Sequence, residues 1–291
     1  MRIRSHAKIN LYLDVLPRRP DGYHNIETIF QTVSLHDELT FADDPSGRVT
    51  LTCSHPDLET DDGNLICRAA ALLRKRTGCT RGAILHLEKN IPVAAGLAGG
   101  SGNAAAALAG LNALWELRLT EADLQRLALE LGSDVPYCLT GGLMAGTLRG
   151  ERLEPIASSY AWWYVLVHPP LAVSTAMVYN HPLLEKNGEP VLNGRTASFQ
   201  RAIAALAAGD IGAAVFNRME GPVFAMHPVL ADIKARLLDA GCLVAAMSGS
   251  GPTMFGVCAG LPEARRVVKN LGAAHTVSIV EDARKGIERP D

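Results

Sequence analysis

Polar and apolar residues alternate over 8–16, Lys-Ile-Asn-Leu-Tyr-Leu-Asp-Val-Leu, which predicts a half-buried strand near the start of the chain. Arg18-Arg19-Pro20-Asp21-Gly22 reads as a turn, and its Asp-Gly step favours antiparallel reversal. Further strands are expected over 24–34, 38–41, 49–53 and 83–89, with a helix over 64–76 that Asp61, Asp62 or Asn64 can cap. Helices follow over 101–117 and 121–131, the second capped by Thr120 with Asp123 in its first turn. Past Gly141-Gly142 the pattern restarts with a strand over 162–168, a short helix over 175–179 and a polar loop over 185–196. Helices are then expected over 198–208, 211–217 and 228–240. Strands over 243–247 and 254–258 bracket Ser248-Gly249-Ser250-Gly251-Pro252, and a helix over 263–271 with a strand over 275–280 makes a βαβ-like close. The pattern alone supports mixed α and β structure. Its restart divides the chain into two domains, 1–157 and 158–291.

Composition narrows the class. The 291 residues are 48% hydrophobic and 20% charged, enough chain for two cores. A net charge of -2 leaves no basic stripe to neutralise a phosphate backbone, so no nucleic-acid partner is expected. Arg74-Lys75-Arg76, the densest basic run, reads as a solvated helix end. No apolar stretch has membrane-spanning length and the first residues lack signal-peptide character, so a cytoplasmic protein is expected. Cys53, Cys67, Cys79, Cys138, Cys242 and Cys258 form no Cys-x-x-Cys pair and read as reduced thiols, neither zinc ligands nor disulfides. No dedicated metal-ligand cluster is visible.

One segment carries candidate chemistry. Pro92-Val93-Ala94-Ala95-Gly96-Leu97-Ala98-Gly99-Gly100-Ser101-Gly102 is a glycine-rich loop running into a small-residue helix. It matches neither Gly-x-x-x-x-Gly-Lys-Ser/Thr nor Gly-x-Gly-x-x-Gly. Such a loop can be a turn that only packs a helix. It can also be an anion site, because glycines unshield backbone amides and a helix N-terminus adds its dipole. Gly96, Gly99, Gly100 and Gly102, with Ser101 and Asn103 as capping candidates, favour phosphate. Two charges accompany the loop. Lys8 lies in an otherwise apolar strand, and Asp134 follows Gly132-Ser133 and precedes Val135-Pro136, which restricts its backbone. Each taken singly reads as a surface lysine or a loop aspartate. Near a phosphate loop, the aspartate could orient or deprotonate an acceptor hydroxyl.

Together the segments resemble the GHMP kinases, which include galactokinase, homoserine kinase and mevalonate kinase. The resemblance rests on Pro92 to Ser101 and Ser248 to Gly251, and on Ala7-Lys8-Ile9-Asn10, Arg19-Pro20-Asp21-Gly22-Tyr23-His24, Asp62-Gly63-Asn64 and Gly132-Ser133-Asp134-Val135-Pro136. It spans residues 6 to about 258, and the Lys-x-Asn and Asp-Gly-Tyr-His segments are its most specific parts.

The resemblance implies a two-domain α+β fold with the active site between the domains. It also implies ATP-dependent phosphorylation of a hydroxyl, here the 2-hydroxyl of a cytidine-diphosphate-linked methylerythritol made for isoprenoids by the non-mevalonate route. Carried onto this sequence, Asp134 and Lys8 are the catalytic pair, and Asn10 faces the acceptor. Tyr23 stacks on cytosine and His24 bonds the base edge, while Tyr179 and Phe30 either line the same pocket or only pack the core. Asn64 lies near adenine, and residues 92–102 hold the phosphates, with Mg²⁺ accompanying ATP. Where relatives carry serine or alanine this chain has Gly102, and Ala94-Ala95 replaces glycines of some members; a loop that works through backbone amides is expected to keep ATP binding. Another small-molecule kinase of the family, such as homoserine kinase, and a non-catalytic nucleotide-binding protein are the alternatives.

Overall fold

The computed structural model describes residues 1–272 and 275–290, folded into two sheets with helices packed on them. Strands β1 (Arg2–Arg18) and β2 (His24–Asp44) form a long antiparallel pair that organises the larger sheet. β2 is one strand where the pattern predicts two, because His36 and Asp37 stay paired with His6 and Ser5 across a register shift. β3 (Val49–Cys53), helix α1 (Leu65–Thr77) and β4 (Gly82–Glu88) follow, and β3 runs parallel to β4 at the sheet edge.

Next come α2 (Gly99–Leu114), α3 (Glu121–Leu131), α4 (Val135–Thr140), and the hairpin of β5 (Leu143–Thr147) and β6 (Arg152–Pro155). α3 carries the expected capping box between Thr120 and Asp123. α4, β5 and β6 were not legible, since each is too short to show a period.

The second sheet has the order β11-β7-β10-β9 and is antiparallel throughout, built from β7 (Trp163–His168), β9 (Val244–Met247), β10 (Met254–Cys258) and β11 (Thr276–Glu281). Between β7 and β9 lie α5 (Thr175–Tyr179), α6 (Ala197–Ala207), α7 (Ile211–Ala214), β8 (Phe216–Asn217), α8 (Glu220–Met226) and α9 (Val229–Asp239). The helix expected over 211–217 stops at Ala214, and Phe216 and Asn217 instead pair in parallel with Tyr12 and Leu13 of β1. α10 (Leu261–Leu271) precedes β11, and β12 (Ile287–Glu288) returns to pair with β1. No helix among the described residues is long and apolar enough to cross a membrane.

β1 departs from the half-buried expectation in an informative way. Residues 5–16 are all buried, polar ones included. Ala7, Ile9 and Leu11 join Tyr164, Leu166 and Phe255 in a core shared by the two sheets, while Lys8 and Asn10 face a polar interior site instead of water. α2 lies between the larger sheet and helices α1, α3 and α4, and Ala104, Ala105, Ala106 and Ala107, buried on every side of it, are small enough for close approach.

Among the glycines of α2 the fit is tightest at Gly110: a Cβ there would stand 2.2 Å from Cζ of Phe41. Gly110→Ala should therefore destabilise the fold by about 1–3 kcal/mol through overpacking, despite alanine's better helix propensity. Urea unfolding checks it, and a stabilised variant would contradict the packing.

Candidate active site

The polar side chains of β1 converge on the glycine loop. Lys8 and Asn10 share one face of the strand, two residues apart, and a bulge at Leu11 follows them. The Lys8 ammonium donates to Asn10 Oδ1 at 2.7 Å and to the Gly96 carbonyl at 3.0 Å. Asn10 in turn donates to Thr28 Oγ1 at 2.8 Å, which holds its amide in place. The Asp134 carboxylate lies 4.0 Å from the same ammonium. Asp134 sits at the start of α4 but does not cap it, so its carboxylate is free to face Lys8. Proline near the first turn suits a helix start and fixes the backbone there. Burial pushes the Lys8 ammonium below its ordinary value, and the neighbouring carboxylate opposes that shift.

The loop over 92–102 separates two clefts. One, of about 510 Å³, is lined by residues 92–101 with Asn64, Leu65 and Lys89. The other, of about 560 Å³, holds Lys8, Asn10, Asp134, Tyr23, His24 and Tyr179. Ala94, Gly96 and Ala98 line both, so the loop is their common wall.

α2 begins at Gly99, two residues earlier than expected, and Ala98 at its N-cap supplies no side-chain cap. Ser101 and Asn103 are thus inside the helix and not its caps; Asn103 instead accepts from the Ser5 hydroxyl at 2.8 Å. The first amides of α2 have no carbonyl ahead of them and face an open cleft. Among the loop glycines only Gly96 has positive φ, at 77°, and Ala94 and Ala98 take left-handed conformations at 53° and 56°. A Cβ on Gly96 would lie 2.3 Å from the Ser248 carbonyl, whereas at Gly100 the nearest atom would be Leu65 Cδ1 at 3.7 Å. Gly102 has comparable room, its Cβ meeting Ser5 at 3.4 Å.

Asn64 caps α1 by accepting from the Ile66 amide at 2.9 Å and donates to the Glu59 carbonyl at 2.7 Å, so its side chain is already engaged at the cleft wall. The pattern did not single out Lys89, which lines the same cleft and pairs with buried Asp37 at 2.9 Å. Its only sequence signal is its place just ahead of the loop.

In the larger cleft the aromatics are arranged differently from a simple pair facing each other. His24 and Tyr179 stack at 5.6 Å with an interplanar angle of 12°. Tyr23 is 58% exposed and lies instead against the Arg149 guanidinium, 5.3 Å from its ring centroid. His24 Nδ1 lies 3.0 Å from the Leu16 carbonyl, which can only accept, so Nδ1 carries the proton and Nε2 is left as an acceptor. Burial pushes the Tyr179 phenol up to about 12, so it stays neutral. Phe30 is buried, stacked on Tyr137 at 4.4 Å with the Lys8 ammonium 5.8 Å from its ring, and forms floor more than wall. Thr175 and Ser250, also unanticipated, hydrogen-bond at 2.7 Å across the mouth. Among the described residues no group of three His, Cys, Asp or Glu side chains is placed to hold a metal ion.

Residues 64–142 match the family model described as the GHMP kinases N terminal domain, and residues 189–276 match that of the GHMP kinases C terminal. A relative from Pelotomaculum thermopropionicum, named 4-diphosphocytidyl-2-C-methyl-D-erythritol kinase, is 46% identical over 266 residues, covering 90% of this chain and 91% of the relative. The crystal structure of a 4-(cytidine 5'-diphospho)-2C-methyl-D-erythritol kinase superposes with a TM-score of 0.81 at 35% identity, covering 97% of this chain and 99% of that one. Homoserine kinase from Cytophaga hutchinsonii has a TM-score of 0.77 at 19% identity over 99% of this chain and 96% of that one, which shows a shared fold.

The Lys8 shift has a consequence for stability. Its folded pKa lies below the unfolded value of 10.5, so between the two the unfolded chain binds more protons and stability rises with pH. The unfolding free energy of the wild type minus that of Lys8→Met should therefore increase from neutral pH toward pH ~10. Denaturation at several pH values reads this difference, and a falling one would mean that the Asp134 carboxylate outweighs the desolvation of the ammonium.

Proposed function

The chain belongs to the GHMP kinases, and we propose that it transfers the γ-phosphoryl group of ATP to the 2-hydroxyl of 4-diphosphocytidyl-2-C-methyl-D-erythritol, a step of the non-mevalonate route to isoprenoid precursors. The observation that carries the assignment is the shared wall. Two clefts meet at one glycine loop; Lys8, bonded to that loop's Gly96 carbonyl and 4.0 Å from Asp134, lines the larger cleft together with Asp134, Tyr23 and His24. Homoserine has no base to set against Tyr23 and His24, and a protein that merely bound nucleotide would have no use for the Lys8–Asp134 pair.

In this reading ATP occupies the smaller cleft, its adenine toward Asn64 and Leu65 and its phosphates over the amides of Gly99, Gly100 and Ser101. Oxygen-rich Mg²⁺ coordination needs few protein ligands, and the Ser101 hydroxyl is the one this loop offers beside phosphate oxygens and water; the ion would neutralise phosphate charge. The acceptor occupies the larger cleft, its cytosine beside Tyr23 with the amino group toward His24 Nε2. The acceptor oxygen attacks the γ-phosphorus while the bond to the β–γ bridging oxygen breaks, leaving ADP. Asp134 orients the hydroxyl and takes its proton. Lys8 places positive charge beside the oxygen as negative charge develops. Asn10 and the Gly96 carbonyl keep the lysine from swinging away.

Asp134→Asn should cut turnover by roughly 10²–10⁴-fold with ATP affinity nearly unchanged. Coupled ADP release with the cytidylated acceptor, set beside homoserine, tests both the residue and the substrate; a variant keeping a third of wild-type turnover would sink the role. Gly100→Val should fold normally, since its side chain has room in the free protein, yet lose ATP binding because the branch occupies the phosphate's approach. Calorimetry on a variant with an unchanged melting temperature separates the two effects.

A further inference from the structure

Tyr23 has to be held if it is to stack on a base, and the turn that carries it ties down its backbone but not its ring. The Tyr23 carbonyl accepts from the Arg19 amide at 2.7 Å, and its own amide donates to Asp21 Oδ1 at 3.1 Å. Arg18 Nε adds a bond to the Gly22 carbonyl at 2.9 Å. The ring itself is exposed. What covers one of its faces is a single side chain from another element, Arg149, in the turn between β5 and β6.

That turn is built to present Arg149. Leu148 and Gly150 flank it with positive φ of 64° and 106°, which projects the residue between them, and the Leu148 carbonyl accepts from the Ile26 amide at 2.6 Å. Glu151 holds the arginine at both ends: its Oε2 accepts from the Arg149 amide at 2.6 Å, and its Oε1 lies 3.6 Å from Arg149 Nε. An anchored guanidinium over an aromatic face is an attractive pairing that restrains the ring while leaving the opposite face open.

We infer that Arg149 is a positioning residue for the acceptor's nucleobase: it braces Tyr23 from behind so that the ring is already ordered when the base arrives. Preorganisation of this kind lowers the ordering cost of binding and leaves the chemical step alone. The inference rests on the acceptor carrying a nucleobase, as proposed above.

A double-mutant cycle with Tyr23 tests it. Arg149→Ala should raise the KM for the cytidylated acceptor by about 2- to 10-fold, with kcat and the KM for ATP held. Arg149→Lys should recover part of the loss, since a cation remains. In a Tyr23→Ala background the further change Arg149→Ala should cost less than 2-fold. An unchanged KM in Arg149→Ala overturns the brace, and so does a loss that persists in full without Tyr23, which would mean direct contact with the acceptor's phosphates. The ring-proton NMR signals of Tyr23, assigned with Tyr23→Phe, read the brace without any substrate: they should shift and broaden in Arg149→Ala. Wild-type protein that fails to phosphorylate the acceptor while the NMR shift is present would sink the functional reading and leave the brace standing.

Discussion

Gly96 is the point on which the site depends. Its carbonyl accepts two hydrogen bonds, from the buried Lys8 ammonium at 3.0 Å and from the Ser248 hydroxyl at 2.9 Å. Three segments far apart in sequence are thereby joined through one backbone oxygen: the first strand, the glycine loop over 92–102 and the glycine-rich turn ahead of β10. Only glycine can serve there, because the position has left-handed φ and a Cβ would press into the Ser248 carbonyl. The loop is thus locked from behind, and its amides can face a ligand without having to be ordered by it.

Burying Lys8 is costly, and the surroundings show how the cost is met. Its ammonium keeps three oxygen neighbours, from Asn10, Gly96 and Asp134, in place of water. Asn10 is satisfied by Thr28 in turn, and Thr28 by the Tyr12 carbonyl at 2.8 Å. A chain of this sort leaves no member short of a partner, which is the condition for polar groups to sit inside a core. The same buried setting strengthens the field that the lysine exerts on Asp134.

In the proposed function the two clefts would divide the labour of recognition by kind of contact. The smaller would work through main-chain amides, for which the backbone path matters more than the side chains; Ala94 and Ala98 hold left-handed conformations on that path. The larger would work through side chains, Tyr23, His24, Tyr179 and Asp134, which lie in the turn before β2, in β2, in α5 and at the start of α4.

Much of this was legible in the sequence. The capping box at Thr120, the strands at 49–53 and 254–258, the glycine loop and the Lys8, Asn10 and Asp134 positions all declare themselves through local chemistry or a short spaced motif. The alternation over 8–16 marks a strand but not its full burial, because period-two polarity does not say whether the polar face meets water or a polar interior. Residues 135–140 and 220–226 were too short for a helical period to emerge. Local sequence determined which groups could do chemistry. Tertiary structure alone decided that His24 stacks on Tyr179, that Arg149 backs Tyr23, and that Gly96 meets Ser248 across 152 residues. Such contacts depend on how distant elements pack, and no residue's immediate neighbours encode them.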